Sequence, residues 1–95
     1  MKLSNLLANI EYTVINDGNP EITDIIYDSR KVTDGTAFVC LKGYTSDGHK
    51  YAQSAVEKGA AALIISDDLS FDVPKNVAVI KVENTRKALA YISAE

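Results

Sequence analysis

The chain of 95 residues, 46% hydrophobic and 24% charged, has the proportions of one small globular domain and no room for a second folded unit. A formal net charge of −3 gives no basic footprint for nucleic acid, and the single Cys40 excludes an internal disulfide and a zinc cluster. The longest apolar run, residues 59–65, is far below the roughly 20 residues needed to span a bilayer, and no basic segment leads into an apolar one at the start, which predicts a cytoplasmic location.

Leu3, Leu6, Leu7 and Ile10 recur at the spacing of one helical face, so a short helix is expected first, ending near Glu11. Residues 12–15 are β-prone and run into Asn16-Asp17-Gly18-Asn19-Pro20, a turn composition. Residues 22–27 read as a second strand, and Thr33-Asp34-Gly35 turns the chain into a third at 36–41, with Cys40 as a small buried hydrophobe. The pattern then becomes helical. Tyr51, Ala52, Ala55 and Val56 share a face, the helix starts near Ser46 or Asp47, and Gly59 closes it. Residues 61–65 form a continuous apolar run, as a parallel strand covered on both faces does, and residues 77–82 repeat it after a polar stretch at 67–76. A final helix opens at Asn84, its N-cap, with Ala88, Leu89, Tyr91 and Ile92 on the apolar side. It carries no stop signal, which fits a segment of a longer protein, although natural chains also end in helices. The expected fold class is α/β, a layered domain with a mixed sheet of about five strands flanked by helices.

The sequence has no Gly-x-x-x-x-Gly-Lys-Ser/Thr loop, no Gly-x-Gly-x-x-Gly and no Cys/His cluster with metal spacing, so binding is more credible than catalysis. Two segments stand out. Tyr27-Asp28-Ser29-Arg30 ends a strand with the side-chain types that hold a polar cyclic ligand at a sheet edge. The alternative is local: Asp28 caps its own turn and Arg30 pairs with a nearby acid. Gly43-Tyr44-Thr45-Ser46-Asp47-Gly48-His49 links a strand to a helix N-terminus, where backbone N–H groups and the hydroxyls of Thr45 and Ser46 face an anion. Asp47 argues the other way, because a capping carboxylate satisfies those N–H groups and repels phosphate. His49 is read as a packing or turn residue rather than a catalyst.

Taken together, Ile22-Thr23-Asp24-Ile25-Ile26-Tyr27-Asp28-Ser29-Arg30-Lys31-Val32, Gly35-Thr36-Ala37-Phe38-Val39 and residues 43–49 resemble the N-terminal domain of the Mur ligases, most closely the MurE type. The likeness continues through Lys58-Gly59-Ala60-Ala61-Ala62 and Val82-Glu83-Asn84-Thr85-Arg86-Lys87-Ala88-Leu89. It implies that residues 1–95 are the first domain of a three-domain, ATP-dependent ligase of bacterial peptidoglycan synthesis, important for cell shape and division. This domain holds the UDP end of UDP-N-acetylmuramoyl-L-alanyl-D-glutamate, while further domains carry ATP, magnesium and the incoming amino acid. No cofactor and no catalytic residue are then expected in this segment, nor is a metal, nucleic acid or membrane partner. By motif, the implied UDP contacts are Tyr27 and Ser29 after the strand and Tyr44, Thr45 and Ser46 in the loop. Asp28, Arg30, Asp47, Gly48 and His49 shape the turns. Some MurE-type proteins have His-Gln-Ala where this chain has Tyr44-Thr45-Ser46, which leaves backbone groups or substituted hydroxyls to make those contacts. The diphosphate is expected near the helix start at Ser46. Two competing readings are the MurF-type sister ligase and a plain α/β interaction module without a nucleotide.

Overall fold

The computed structural model describes residues 2–42 and 47–93. Five strands, β1 (Thr13–Asn16), β2 (Ile25–Ile26), β3 (Ala37–Val39), β4 (Ala62–Ile65) and β5 (Ala78–Lys81), form one sheet in the order β1-β5-β4-β3-β2. The pairs β2–β3, β3–β4 and β4–β5 are parallel, and β1 lies antiparallel to β5. This is the mixed, five-stranded sheet expected from the strand pattern.

Period-two alternation along the central strands separates two cores. Ala37 and Val39, Ala62 and Ile64, Ala78 and Ile80 face one side, where Leu3, Leu6 and Leu7 from the first helix and Ala88 and Ile92 from the last cover them. Phe38, Leu63, Ile65, Val77 and Val79 face the other, under Ala52 and Ala55. The helices are α1 (Leu3–Leu6), α2 (Ala52–Glu57) and α3 (Thr85–Ser93), so the molecule is three layers deep. Both faces of β4 are covered, which is why its sequence is an unbroken apolar run. Cys40 lies in the second core with no exposed surface, and burial pushes its thiol up to about 12.

Several elements differ from the sequence expectation: β3 is shorter than 36–41, and the helix expected from Ser46 or Asp47 is α-helical only from Ala52, after a 3₁₀ turn at Gly48–Tyr51. The first helix is α-helical only over Leu3–Leu6, because Leu7 leaves helical geometry with ψ near 2°, although Leu7 is buried and Ile10 packs on the same core as its spacing predicts. The second strand shrinks to two residues. Thr23, just before it, donates its backbone N–H to Gly35 and its hydroxyl to the Asp34 carbonyl, so this stretch braces the next turn. Between β4 and β5, the stretch read as polar contributes Leu69, Phe71 and Val73 to the second core.

Gly59 sits where helix α2 ends, with φ at +103°, and its carbonyl accepts from the N–H of Gly35. A Cβ on Gly59 would lie 2.9 Å from Asp34 Cα, so this close approach of two backbones requires glycine. On β1, the register shifts between Val14 and Asn16, leaving Ile15 as an extra residue in the strand.

Candidate functional site

The C-terminal ends of the parallel strands β2, β3, β4 and β5 lie along one rim of the sheet, the side on which open α/β sheets bind ligands. Tyr27 comes directly after β2, Leu41 lies just past β3, and Arg86 is in the first turn of α3, after β5. These residues line one cleft of about 500 Å³ with Ser29, Arg30 and Tyr51. Asp28, Gly48 and the buried Phe38 complete its wall.

The Tyr27-Asp28-Ser29-Arg30 segment is built by one carboxylate. Asp28 Oδ1 accepts from the Arg30 backbone N–H at 3.0 Å, which caps a 3₁₀ turn over Ser29–Lys31. The same side chain takes a two-pronged contact from the Arg30 guanidinium, Nε at 3.0 Å and Nη2 at 2.8 Å. The side-chain hydrogen bonds from Arg30 hold the Asp28 carboxyl down at about 2 and raise Arg30 above its usual value. Both local roles read for Asp28 and Arg30 are therefore present, and they leave Tyr27 and Ser29 as the groups in this turn free of those duties. Tyr27 is 62% exposed. The Ser29 carbonyl accepts from Lys58 Nζ at 2.9 Å, fixing the turn against the end of α2.

Asp47 repeats the device on the next connection. Its Oδ1 accepts from the His49 backbone N–H at 3.0 Å, capping the 3₁₀ turn Gly48–Tyr51 that leads into α2. Partial burial raises the Asp47 pKa, but the hydrogen bonds from the His49 backbone and ring outweigh it and the net shift is downward. The helix start is thus already occupied by a carboxylate. This bears out the reading of Asp47 as a cap, whose oxygen takes the N–H and repels a second anion, while Ser46, where the diphosphate is expected from the sequence, lies outside the described residues.

His49 is a clamp. Its Nε2 accepts from the backbone N–H groups of Ser66 and Asp67 at 3.0 and 3.1 Å, so the ring proton sits on Nδ1 and is donated to Asp47 at 2.6 Å. The ring ties the start of α2 to the exit of β4. Asp47, His49 and Asp67 lie close enough together to evoke a metal site. Both His49 nitrogens are engaged, however, and Lys42 is salt-bridged to Asp67, so this donor set does not fit a cation.

Gly48 packs its Cα against the strand exit. A Cβ there would come within 2.8 Å of the Leu41 backbone nitrogen, and the Gly48 N–H donates to the Leu41 carbonyl at 2.7 Å. Lys42 and Asp47 form an isolated antiparallel bridge. Tyr44, Thr45 and Ser46, also expected as contacts from the sequence, lie outside the described residues.

Two cleft residues with polar side chains are not marked by the sequence as site residues. Tyr51, 41% exposed, carries the Lys50 ammonium 5.2 Å from its ring centroid, and Arg86 stands in the sequence within the final run of the family resemblance without a site role of its own. No local pattern singles out either one, because parallel strand topology brings them to the rim. A second cleft, of about 490 Å³, lies between the end of α1 and the start of α3 with Glu11, Glu83 and Lys87 in its wall. Its carboxylates outnumber its cation, whereas the rim cleft has one more guanidinium than carboxylate, so an anionic ligand favours the rim.

Among known proteins, the chain is 44% identical over 95 residues to the UDP-N-acetylmuramoyl-L-alanyl-D-glutamate--2,6-diaminopimelate ligase of Clostridium botulinum (strain ATCC 19397 / Type A), covering 99% of the chain and 20% of that protein. It is 46% identical over 96 residues to the ligase of the same name from Clostridium perfringens (strain 13 / Type A), covering 99% of the chain and 19% of that protein. The chain thus spans about a fifth of the length of the curated relatives it matches. Among solved structures, a crystal structure of MurF from Acinetobacter baumannii superposes with a TM-score of 0.71 at 26% identity, over 97% of this chain and 19% of that one. The MurF ligase of Thermotoga maritima in complex with ADP superposes with a TM-score of 0.63 at 27% identity, over 74% of this chain and 16% of that one. The family model described as "Mur ligase family, catalytic domain" matches residues 21–95, and with the fold and the relatives agreeing, the chain belongs to the Mur ligase family.

Proposed function

We propose that this chain is the domain of a MurE-type ligase that holds the UDP end of UDP-N-acetylmuramoyl-L-alanyl-D-glutamate, the compound that its relatives' names specify. The observation that carries the reading is the rim cleft, where Tyr27 and Ser29 stand beside a turn whose other polar groups are already satisfied. Uracil offers one N–H donor and two carbonyl acceptors, which hydroxyls and backbone groups can read, and an exposed tyrosine ring covers its face. By sequence resemblance, Tyr44, Thr45 and Ser46 complete the contacts.

In this reading the 95 residues work as one unit, and the ligase reaction takes place with other parts of a longer, cytoplasmic enzyme. ATP and magnesium belong, in this reading, to those other parts. The sequence has no phosphate loop, and in the Asp47, His49 and Asp67 cluster both His49 nitrogens and the Asp67 carboxylate are already engaged. Relatives that are diaminopimelate ligases favour the MurE type over the MurF type, which is a neighbour by structure.

The test is an amide NMR titration of the 95-residue chain with UDP, uridine and ADP. UDP is expected to bind with a dissociation constant on the order of 1 mM, roughly −4 kcal/mol, because it is only the nucleotide end of the substrate and lacks the contacts of the muramoyl-peptide half. It should shift signals at residues 27–30, uridine a subset, and ADP little. Ser29→Ala should weaken UDP by about 0.5–1.5 kcal/mol through loss of one hydroxyl partner, with folding unchanged. Equal responses to UDP and ADP would overturn the assignment of uracil.

A further inference from the structure

Given the nucleotide reading of the rim cleft, on which this inference rests, the two phosphates of the ligand need a cationic partner. The helix start at Asp47 is closed to them by its own carboxylate. Arg30 is spent on both oxygens of Asp28, Lys58 on the Ser29 carbonyl, and Lys42 on Asp67.

Arg86 differs from all three. It lines the same cleft, and one Nη2 donates to the Lys42 carbonyl at 3.3 Å, a single long bond to a neutral acceptor. Among the described residues no carboxylate lies within ion-pair distance of its guanidinium. A guanidinium has five N–H donors in a rigid fork, so most of this one's capacity is uncommitted. The Lys42 bond anchors the fork to the exit of β3. The N-terminus of α3 does not compete for the anion, because the Asn84 side chain already accepts from the Lys87 N–H at 3.1 Å.

We infer that Arg86 is the diphosphate-binding residue of this cleft, holding the phosphate oxygens while the base is read at Tyr27 and Ser29. The spacing comes from topology. β5 and β2 are separated in the sheet by β4 and β3, and the cleft runs along the rim from the turn after β2 to the start of α3 after β5. A ligand with a planar head and an anionic tail matches that layout, and one without the tail leaves the guanidinium unused.

The experiment compares uridine and UDP on the 95-residue chain and on Arg86→Gln, by amide NMR titration. UDP should bind the unaltered chain more tightly than uridine. Arg86→Gln should lose about tenfold in UDP affinity, as expected for one charge-assisted pair, and change uridine affinity less than about twofold. Uridine binding by the variant also reports that the cleft is intact. Should Arg86→Gln lose its native amide dispersion, Arg86→Lys carries the test: it keeps the charge but not the fork, and should weaken UDP several-fold with uridine unaffected. If UDP affinity survives in the variant, Arg86 has no such role, while the nucleotide reading stands. If UDP and uridine bind the unaltered chain equally, the phosphates are not held and the inference falls alone. If neither binds, both readings fall together.

Discussion

The Asp28 carboxylate caps a backbone N–H and grips a guanidinium two residues away, and its titration should show it. Its pKa falls from 3.8 to about 2, chiefly through the Arg30 side-chain hydrogen bonds. A depressed acid contributes its stabilisation fully above its unfolded value, and that contribution fades as pH falls from about 3.8 through about 2. The Arg30 side chain is 85% exposed, so the effect belongs to the turn and not to global unfolding. Carboxyl chemical shifts tracked from pH 5 downward should give Asp28 a midpoint near 2. A midpoint at the ordinary aspartate value would mean that the pair does not hold in solution. At Cys40 the expectation is inertness: a thiol with no exposed surface and a pKa pushed to about 12 should resist a thiol reagent until the protein unfolds. Rapid labelling of the native chain would contradict the placement of β3.

Elements were legible where burial was complete and blurred where it was partial. The runs at β4 and β5 are apolar because both faces are covered, and that constraint is written into every residue. The expected range of β2 was too long because Ile22 and Thr23 carry strand-like side chains but spend their contacts on the core and on the turn at Gly35. Leu69, Phe71 and Val73 alternate with polar residues, so the stretch reads as a loop while its apolar members cover the second core. Of the site, Tyr27 to Arg30 was legible because its residue types cluster in sequence, and Asp47 because a cap has a fixed offset from the N–H it serves. Tyr51 and Arg86 were not, since only the parallel crossover order brings them to the cleft. The meeting of helix α2 with the Asp34-Gly35 turn gives a sharper expectation. Gly59→Ala forces a left-handed backbone and a 2.9 Å approach to Asp34 Cα, and should cost about 1–3 kcal/mol in a denaturant melt. An unchanged midpoint would show that the two backbones can move apart freely.

At the level of the whole molecule, a sheet with helices on both faces leaves two strands at its margins. β2 is only two residues long, too short to template another chain. β1 is the exposed margin, and it displays Val14 and Ile15 with Tyr12 just before it, half of their surface in water. A run of this composition is a natural seed for cross-strand stacking between copies. The extra residue at Ile15 puts the outward N–H and C=O groups out of step with a regular partner, and the Asn16 carboxamide pins that irregularity through long bonds of 3.4 to 3.5 Å to the carbonyls of Val73, Pro74 and Val77. The kink therefore disfavours regular pairing of a second strand along this margin.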